Sequence, residues 1–290
     1  MTPETHAVVV WSTGLDRADE ILADLGSRFR LLDVFRVEWS AAHFSHCLTR
    51  FYEDSTMGRG SKKERHIGTG PFLLAVLHDE RPVYARRATT RGDAIVHAEL
   101  FDAKARYRQL TGGGHRVHGS LTAAEADRDL YFLVRRRAAS FLTDRSPWDE
   151  TVKPWVEDVV GIPGWRDRSE LLIDLELSLP YVLLDEGPPL TVLVDERWWR
   201  DVVAAVHGQR HGRGPLTIPV GGASLELLVS DVGDGSLDRD HQRSILHSRR
   251  RDMSGAFVPA DERDREAALA GIARAGSASK RWQRLRSALR

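Results

Sequence analysis

The sequence predicts an α+β protein made of two units, and three observations carry that expectation. The chain has 290 residues, more than one small core comfortably organises. In its first half, short apolar or alternating runs change places with runs of 3- and 4-residue apolar spacing, the signatures of strands and helices. Near the middle, SPWDETVKPW interrupts both patterns with prolines and acids, and predicts a division into residues 1–146 and 147–290.

The elements follow in order. AVVVWS (7–12) is a short buried strand. From Asp16 to Phe29, the residues Ala18, Ile21, Leu22, Leu25 and Phe29 share one helical face. In RLLDVFRVEW, Phe35, Val37 and Trp39 alternate with Arg36 and Glu38, as in a half-buried strand. Ser40 is placed to cap a helix presenting Phe44, Cys47, Leu48 and Phe51. The polar EDSTMGRGSKKER (53–65) predicts a loop, PFLLAVLH (71–78) a buried strand, and PVYARRAT (82–89) a strand or helix edge after a turn. Residues 99–110 predict a helix with Leu100, Ala103 and Tyr107 inward and Lys104, Arg106 and Arg108 outward. Thr122 and Glu125 have capping-box spacing, and DLYFLV (129–134) closes this half as a strand or helix end. The order β-α-β-α-β-turn-α-β, with helices on one side of one sheet, predicts a ferredoxin-like sandwich. A Rossmann unit is disfavoured, because no strand runs directly into G-x-G-x-x-G.

Beyond the boundary the pattern predicts a smaller α/β unit without internal repeat. It has a helix at 168–178, strands at 181–184 and 190–194, and a helix at 195–207. Strands at 216–220 and 224–229 follow, then helices near 237–248 and 261–274. Asp231 and Asp234 lie in a loop entering a capped helix, without the acid spacing or terminal Glu of an EF-hand.

Charge and cysteine content exclude several classes. Lys plus Arg equals Asp plus Glu at 42 each, so no bulk charge holds the chain on nucleic acid or membrane. The basic tail RAGSASKRWQRLRSALR, with Trp282, suits an acidic partner or, more ordinarily, a solvated helix end. A single cysteine, Cys47, forms no intramolecular disulfide. No secretory pattern opens the chain and no apolar run reaches the ~20 residues that span a bilayer, so a cytoplasmic protein is expected.

The chemistry concentrates in TGGGHRVHGSLTAAEADRD (111–129). A neutral imidazole is nucleophilic near neutrality and releases a phosphoryl group readily, which makes His118 the candidate acceptor. Gly112, Gly113 and Gly114 let the backbone approach a ligand. Lys104, Arg106, Arg108 and Arg116 offer charges for phosphate oxygens, and Asp129 a carboxylate for the ring. The bland alternative is a solvated histidine in a glycine-rich turn. A metal-ligand pair of His115 and His118 is disfavoured, since no cysteine is near and the acids are not at ligand spacing.

These residues resemble the nucleoside diphosphate kinase family. HRVHGSLT places His118 on that family's phosphorylated histidine, Gly119 and Ser120 on its neighbours, and Asp129 on the acid that orients the ring. The likeness runs over about residues 6–135. It departs where WST replaces the phosphate-contacting Lys-Pro-Asp, where His115 replaces an Asn, and where Leu121 replaces an acid. Those departures point to an acceptor other than a nucleotide. Phe72 and Tyr52 are candidates for stacking on the base. The run HIGTGPF…YARRATTRG…FDAKARYRQLTGGGHRVH also resembles a divergent bacterial branch found with surface-polysaccharide and polyol-phosphate assembly, fused to a nucleotidyltransferase-like domain. His66, Thr69, Lys104, Arg106, Arg108, His115 and His118 would be its signature. In the second unit LLDEGPPLTVLVDE has Pro189 and Thr191 where a nucleotidyltransferase holds paired carboxylates, and Glu226 could imitate a third acid. This half therefore reads either as a degenerate nucleotidyltransferase-like domain or as an ordinary α/β core.

The expected activity is transfer of a γ-phosphoryl group from Mg²⁺-bound ATP or another NTP through His118 to a small-molecule acceptor in a biosynthetic pathway. Asp129 anchors the ring, and His66, Lys104, Arg106, Arg108, Gly113, Gly114, His115, Arg116 and Ser120 hold nucleotide and phosphate. No protein-bound metal is expected, nucleic acid is disfavoured as a partner, and a homo-oligomer is allowed for. The rival expectation is a non-catalytic nucleotide-binding or scaffold partner of a glycopolymer or natural-product enzyme.

Overall fold

The N-terminal apolar run becomes β1 (Glu4–Val10), buried on both faces from Thr5 onward, and so takes a central place in its sheet. The computed structural model describes residues 2–89, 92–143, 148–159, 162, 164–195, 198–207 and 214–288, with side chains of 206, 207 and those beyond 275 left aside. A 3₁₀ turn at Ser12–Arg17 leads into α1 (Ala18–Arg28), and β2 (Arg30–Val37) and α2 (Phe44–Tyr52) follow. The end of the segment read as a loop begins α3 (Lys62–Ile67), capped where Ser61 Oγ accepts from Glu64 N at 3.1 Å. Next come β3 (Phe72–Asp79) and a hairpin of β4 (Tyr84–Thr89) with β5 (Gly92–His97), the second strand of which was not expected. The first unit is completed by α4 (Ala98–Leu110), β6 (Val117–Gly119), α5 (Ala123–Val134) and β7 (Val152–Trp155).

The sheet order is β6-β1-β3-β2-β7, antiparallel except for the parallel β2–β7 pair. DLYFLV, a strand or a helix end by its pattern, is the last part of α5, an apolar run too short for periodicity to assign. Three expectations change here. Ser40 does not cap α2; its N–H and Oγ both donate to Asp158, at 2.8 and 2.9 Å. The helices do not share one side. α1 and α4 pack through Ile21, Leu25, Ala103 and Tyr107 on Val8, Val10, Ala75 and Val117. The opposite face carries Trp11, packed with Trp39, Phe51 of α2 and Phe72. Both faces need a cover because β1 and β3 are apolar at consecutive residues. Finally, the division falls after Ile162 and not at 146, because Val152–Trp155 extends the first sheet from the edge of β2. Pro154 suits that outermost strand, where a missing N–H costs no ladder bond.

The second unit contains α6 (Arg168–Ser178), β8 (Tyr181–Asp185), β9 (Leu190–Val194), α7 (Trp198–His207), β10 (Leu216–Val220) and β11 (Ala223–Asp231). It ends with α8 (Arg239–Ser248), a short hairpin of β12 (Arg250–Arg251) with β13 (Phe257–Val258), and α9 (Glu262–Ala288). Its sheet order is β10-β11-β9-β8, in which only β9 and β11 run parallel. Ile245 and Leu246 of α8 and Ala268 of α9 bury Val182, Leu184 and Leu193. The basic tail continues α9 beyond the expected end, and the side chain of Trp282 lies outside the described residues. Both units are mixed α and β, and no helix among the described residues is long and apolar enough to cross a membrane.

Candidate active site around His118

β6 has only three residues, and it is tied to β1 at both ends. Trp11 N donates to Arg116 O at 2.9 Å, and Ser120 N donates to Ala7 O at 2.9 Å. Ala7 N donates to Ser120 Oγ at 2.8 Å, so Ser120, expected to hold phosphate, is a buried tie between strands. His118 lies opposite Val9, which sends its side chain to the Trp11 face, where it is 8 % exposed.

The chain returns to the ring through α5. Thr122 Oγ1 accepts from Glu125 N at 3.1 Å, and Glu125 Oε2 accepts from Leu121 N at 2.7 Å. This cap starts the helix just after His118, so its second turn brings Asp129 over the imidazole. Asp129 Oδ2 is 2.7 Å from His118 Nε2, and Oδ1 accepts from Arg128 Nη2 at 2.9 Å. Arg128 also pairs with Glu53 at 2.6 Å and donates to Phe51 O at 3.1 Å. Asp129 is fully buried. Burial alone would raise its pKa, but the charges and hydrogen bonds of His118 and Arg128 hold the carboxyl below its ordinary value. An ionised carboxylate only accepts, so Nε2 carries a proton, and in the neutral ring Nδ1 holds the lone pair. Nδ1 has no hydrogen-bond partner among the described residues. Phe51 and Tyr52 stand edge-on to the ring at 5.1 and 5.7 Å, and Lys63 Nζ lies 2.9 Å over the face of Tyr52.

The expected cations separate into two groups. Lys104 and Arg108 are four residues apart on α4 and share a face. Lys104 Nζ reaches Gly119 O at 3.5 Å and Arg108 Nε reaches Val117 O at 2.9 Å. With Arg116 O turned toward β1, the carbonyls of 117 and 119 point off the sheet edge, and these two cations close it. Burial lowers the Lys104 ammonium to about 8, partly offset by Glu125 and Asp129. Arg106 faces away and pairs with Asp24 at 3.5 Å, while Arg116 folds back onto Thr111 O.

His66 and His115 form their own group at the glycine turn. His115 N donates to His66 Nδ1 at 3.2 Å, and their rings are 6.0 Å apart. Burial, Lys63 and Arg108 lower the pKa of His115. Gly114, at φ +72°, packs so closely on His66 that any Cβ would overlap its ring, whereas Gly113 faces open space. Thr69 is exposed. Glu125, Arg128, Glu53 and Lys63 were not expected at the site, and only the capping box hinted at one of them. Phe72 is fully buried between Trp11 and Trp39, so it cannot stack on a base.

The second unit offers less chemistry. Thr191 Oγ1 donates to Pro189 O at 3.0 Å, and Glu226 is exposed on β11. Asp234 accepts from Ser230 Oγ at 2.6 Å, Ser236 N at 2.8 Å and Gln242 Nε2 at 3.0 Å, which makes it the organiser of a loop. Asp238 then caps α8, accepting from Asp240 N at 3.0 Å and His241 N at 3.2 Å. Among the described residues, the group able to converge three ligand atoms on one ion is His118, Glu125 and Asp129, not His115 with His118. No protein-family model matches this chain, and no curated protein matches it.

Proposed function

We propose that the first unit is a nucleotide-dependent phosphotransferase which carries the γ-phosphoryl group on His118 and delivers it to a small-molecule acceptor. The observation that supports this reading most is the ring itself, with Nε2 spent on the buried Asp129 and Nδ1 left over. The strand order β6-β1-β3-β2, which is that of a ferredoxin-like sandwich, also agrees with the resemblance to nucleoside diphosphate kinases.

In the first step Nδ1 attacks the γ-phosphorus of a magnesium-bound nucleoside triphosphate. The P–N bond forms as the bond to the β–γ bridging oxygen breaks, and a nucleoside diphosphate leaves. The imidazolium so formed is stabilised by Asp129, which Arg128 keeps ionised. In the second step an acceptor oxygen takes the phosphorus, the P–N bond breaks, and the acceptor's proton passes to solvent. Lys104 and Arg108, which hold the carbonyls on either side of His118, are the cations assigned to phosphoryl oxygens, whereas Arg106 and Arg116 pair with Asp24 and Thr111 O. Magnesium enters as part of the nucleotide substrate.

The test is incubation of the purified chain with γ-labelled ATP and Mg²⁺. An acid-labile label that disappears in His118→Ala is expected. The use of Lys104 and Arg108 to close a sheet edge favours the second reading, a nucleotide-binding scaffold. Calorimetric nucleotide binding with no label at His118 would select it.

A further inference from the structure

We infer that His118, Glu125 and Asp129 form a binding site for one transition-metal dication of the zinc class. Each of the three offers one ligand atom, and these atoms all lie within 4.8 Å of one another. His118 Nε2 is 2.7 Å from Asp129 Oδ2 and 3.9 Å from Glu125 Oε1. Tetrahedral ligands at ~2.1 Å from zinc are ~3.4 Å apart, so the spacings of Oδ2 and Oε1 from Nε2 fall on either side of the required value.

The scaffold aims these atoms. Glu125 and Asp129 are four residues apart on α5 and face the same way, toward the strand that carries His118. Each carboxylate has its second oxygen already held. Leu121 N fixes Glu125 Oε2 at 2.7 Å, and Arg128 fixes Asp129 Oδ1 at 2.9 Å. Ligating carboxylates are characteristically hydrogen-bonded in this way, which leaves Glu125 Oε1 and, once the Nε2 proton has gone, Asp129 Oδ2 for the ion. One imidazole and two carboxylates suit zinc, cobalt or nickel; magnesium, which prefers an all-oxygen shell, fits poorly.

Binding is an exchange. The metal–Nε2 bond forms as the Nε2 proton leaves to solvent, and water fills the fourth position. Lys104, which donates to Gly119 O beside His118 and whose charge both carboxylates favour, is the internal cation that competes with the metal. If His118 also carries a phosphoryl group, an ion on Nε2 withdraws charge from Nδ1 and slows that step. This clause rests on the proposed function, whereas the site does not.

The test uses the metal-stripped full chain, titrated with Co²⁺ and with Zn²⁺. One equivalent should bind, with the intense visible absorption of four-coordinate cobalt. Affinity should fall at least tenfold in Glu125→Gln, stay unchanged in His115→Ala, and rise severalfold in Lys104→Met. Circular dichroism on each variant establishes that it is folded. Absence of stoichiometric binding, or equal binding in Glu125→Gln, overturns the site. Labelling with γ-labelled ATP is then compared in stripped and zinc-loaded protein. Label absent from both removes the phosphotransferase reading and leaves the metal site standing. Label equal in both at full zinc occupancy overturns the coupling.

Discussion

The two faces of the first sheet each bury a histidine ring paired with an aspartate, and the pairs differ in one nitrogen. On the α1–α4 face, His97 Nε2 lies 2.8 Å from Asp79, and His97 Nδ1 accepts from Leu100 N at 3.2 Å as the N-cap of α4. On the other face His118 Nε2 lies 2.7 Å from Asp129, and Nδ1 keeps its lone pair. Both rings hold the same tautomer and both are buried. The carboxylate therefore does not distinguish a chemical histidine from a structural one. What distinguishes them is the second nitrogen: a helix N-terminus consumes it at His97, and at His118 the cap is supplied by Thr122 instead.

The largest expected effect breaks this comparison outright. His118→Ala should abolish labelling by γ-labelled ATP, whereas His97→Ala should still be labelled, per folded molecule, at close to the parent rate. Its loss should appear in thermal unfolding: removing a cap costs ~1 kcal/mol, and the partly exposed Asp79 adds at most ~1 kcal/mol when it loses its partner. Labelling of His97→Ala at below a tenth of the parent rate, in folded protein, would erase the distinction. Next in size is Asp129→Asn. An amide can donate to Nε2 and stabilise the opposite tautomer, so the labelling rate should fall by ~10²–10⁴. A loss under threefold would mean that Asp129 serves the fold alone.

Much of this arrangement could be read before the structure. The apolar runs of β1 and β3, the inward faces of α1 and α4, the Thr122–Glu125 cap and the eleven-residue step from His118 to Asp129 are local patterns. Local patterns did not reveal which partner a long charged side chain takes. Arg106 and Arg108 look alike in sequence, yet one turns to Asp24 and the other to the backbone of β6. Arg128 joins Asp129 to Glu53 across two helices, a contact with no sequence periodicity. β6 and β7 are short strands defined by their neighbours, so their membership of the sheet, and with it the boundary between units, escaped notice.

A smaller effect sharpens the role of the edge cations. The Lys104 ammonium is lowered by burial to about 8, so its charge is lost as the pH rises through that value. If it neutralises phosphoryl oxygens, the labelling rate should decline severalfold between pH 7 and 9, and the decline should be absent in Lys104→Arg. A profile that is equally steep in both proteins would assign Lys104 to closing the β6 edge.

The smallest effect concerns the neighbour of His97. His6 is fully buried, its ring is 4.7 Å from that of His97, and its Nδ1 has no hydrogen-bond partner among the described residues. Glu4 lies 3.1 Å from its Nε2, and Tyr84 donates to the same carboxylate oxygen. Burial, then repulsion from His97, lowers its pKa below the ordinary 6.5, despite the opposing pull of Glu4. A depressed folded-state pKa contributes stability that is present above 6.5 and lost as the pH falls below it, since the unfolded chain then takes up a proton that the folded chain refuses. The melting temperature should therefore drop between pH 7.5 and 5.5, and His6→Gln should flatten that slope. His78, lowered by burial and by Arg30, has the same sign, so part of the slope should survive. An unchanged slope in His6→Gln would mean that Glu4 and Asp79 together let His6 accept the proton in the folded state, making the α1–α4 face as polar in practice as the face of His118.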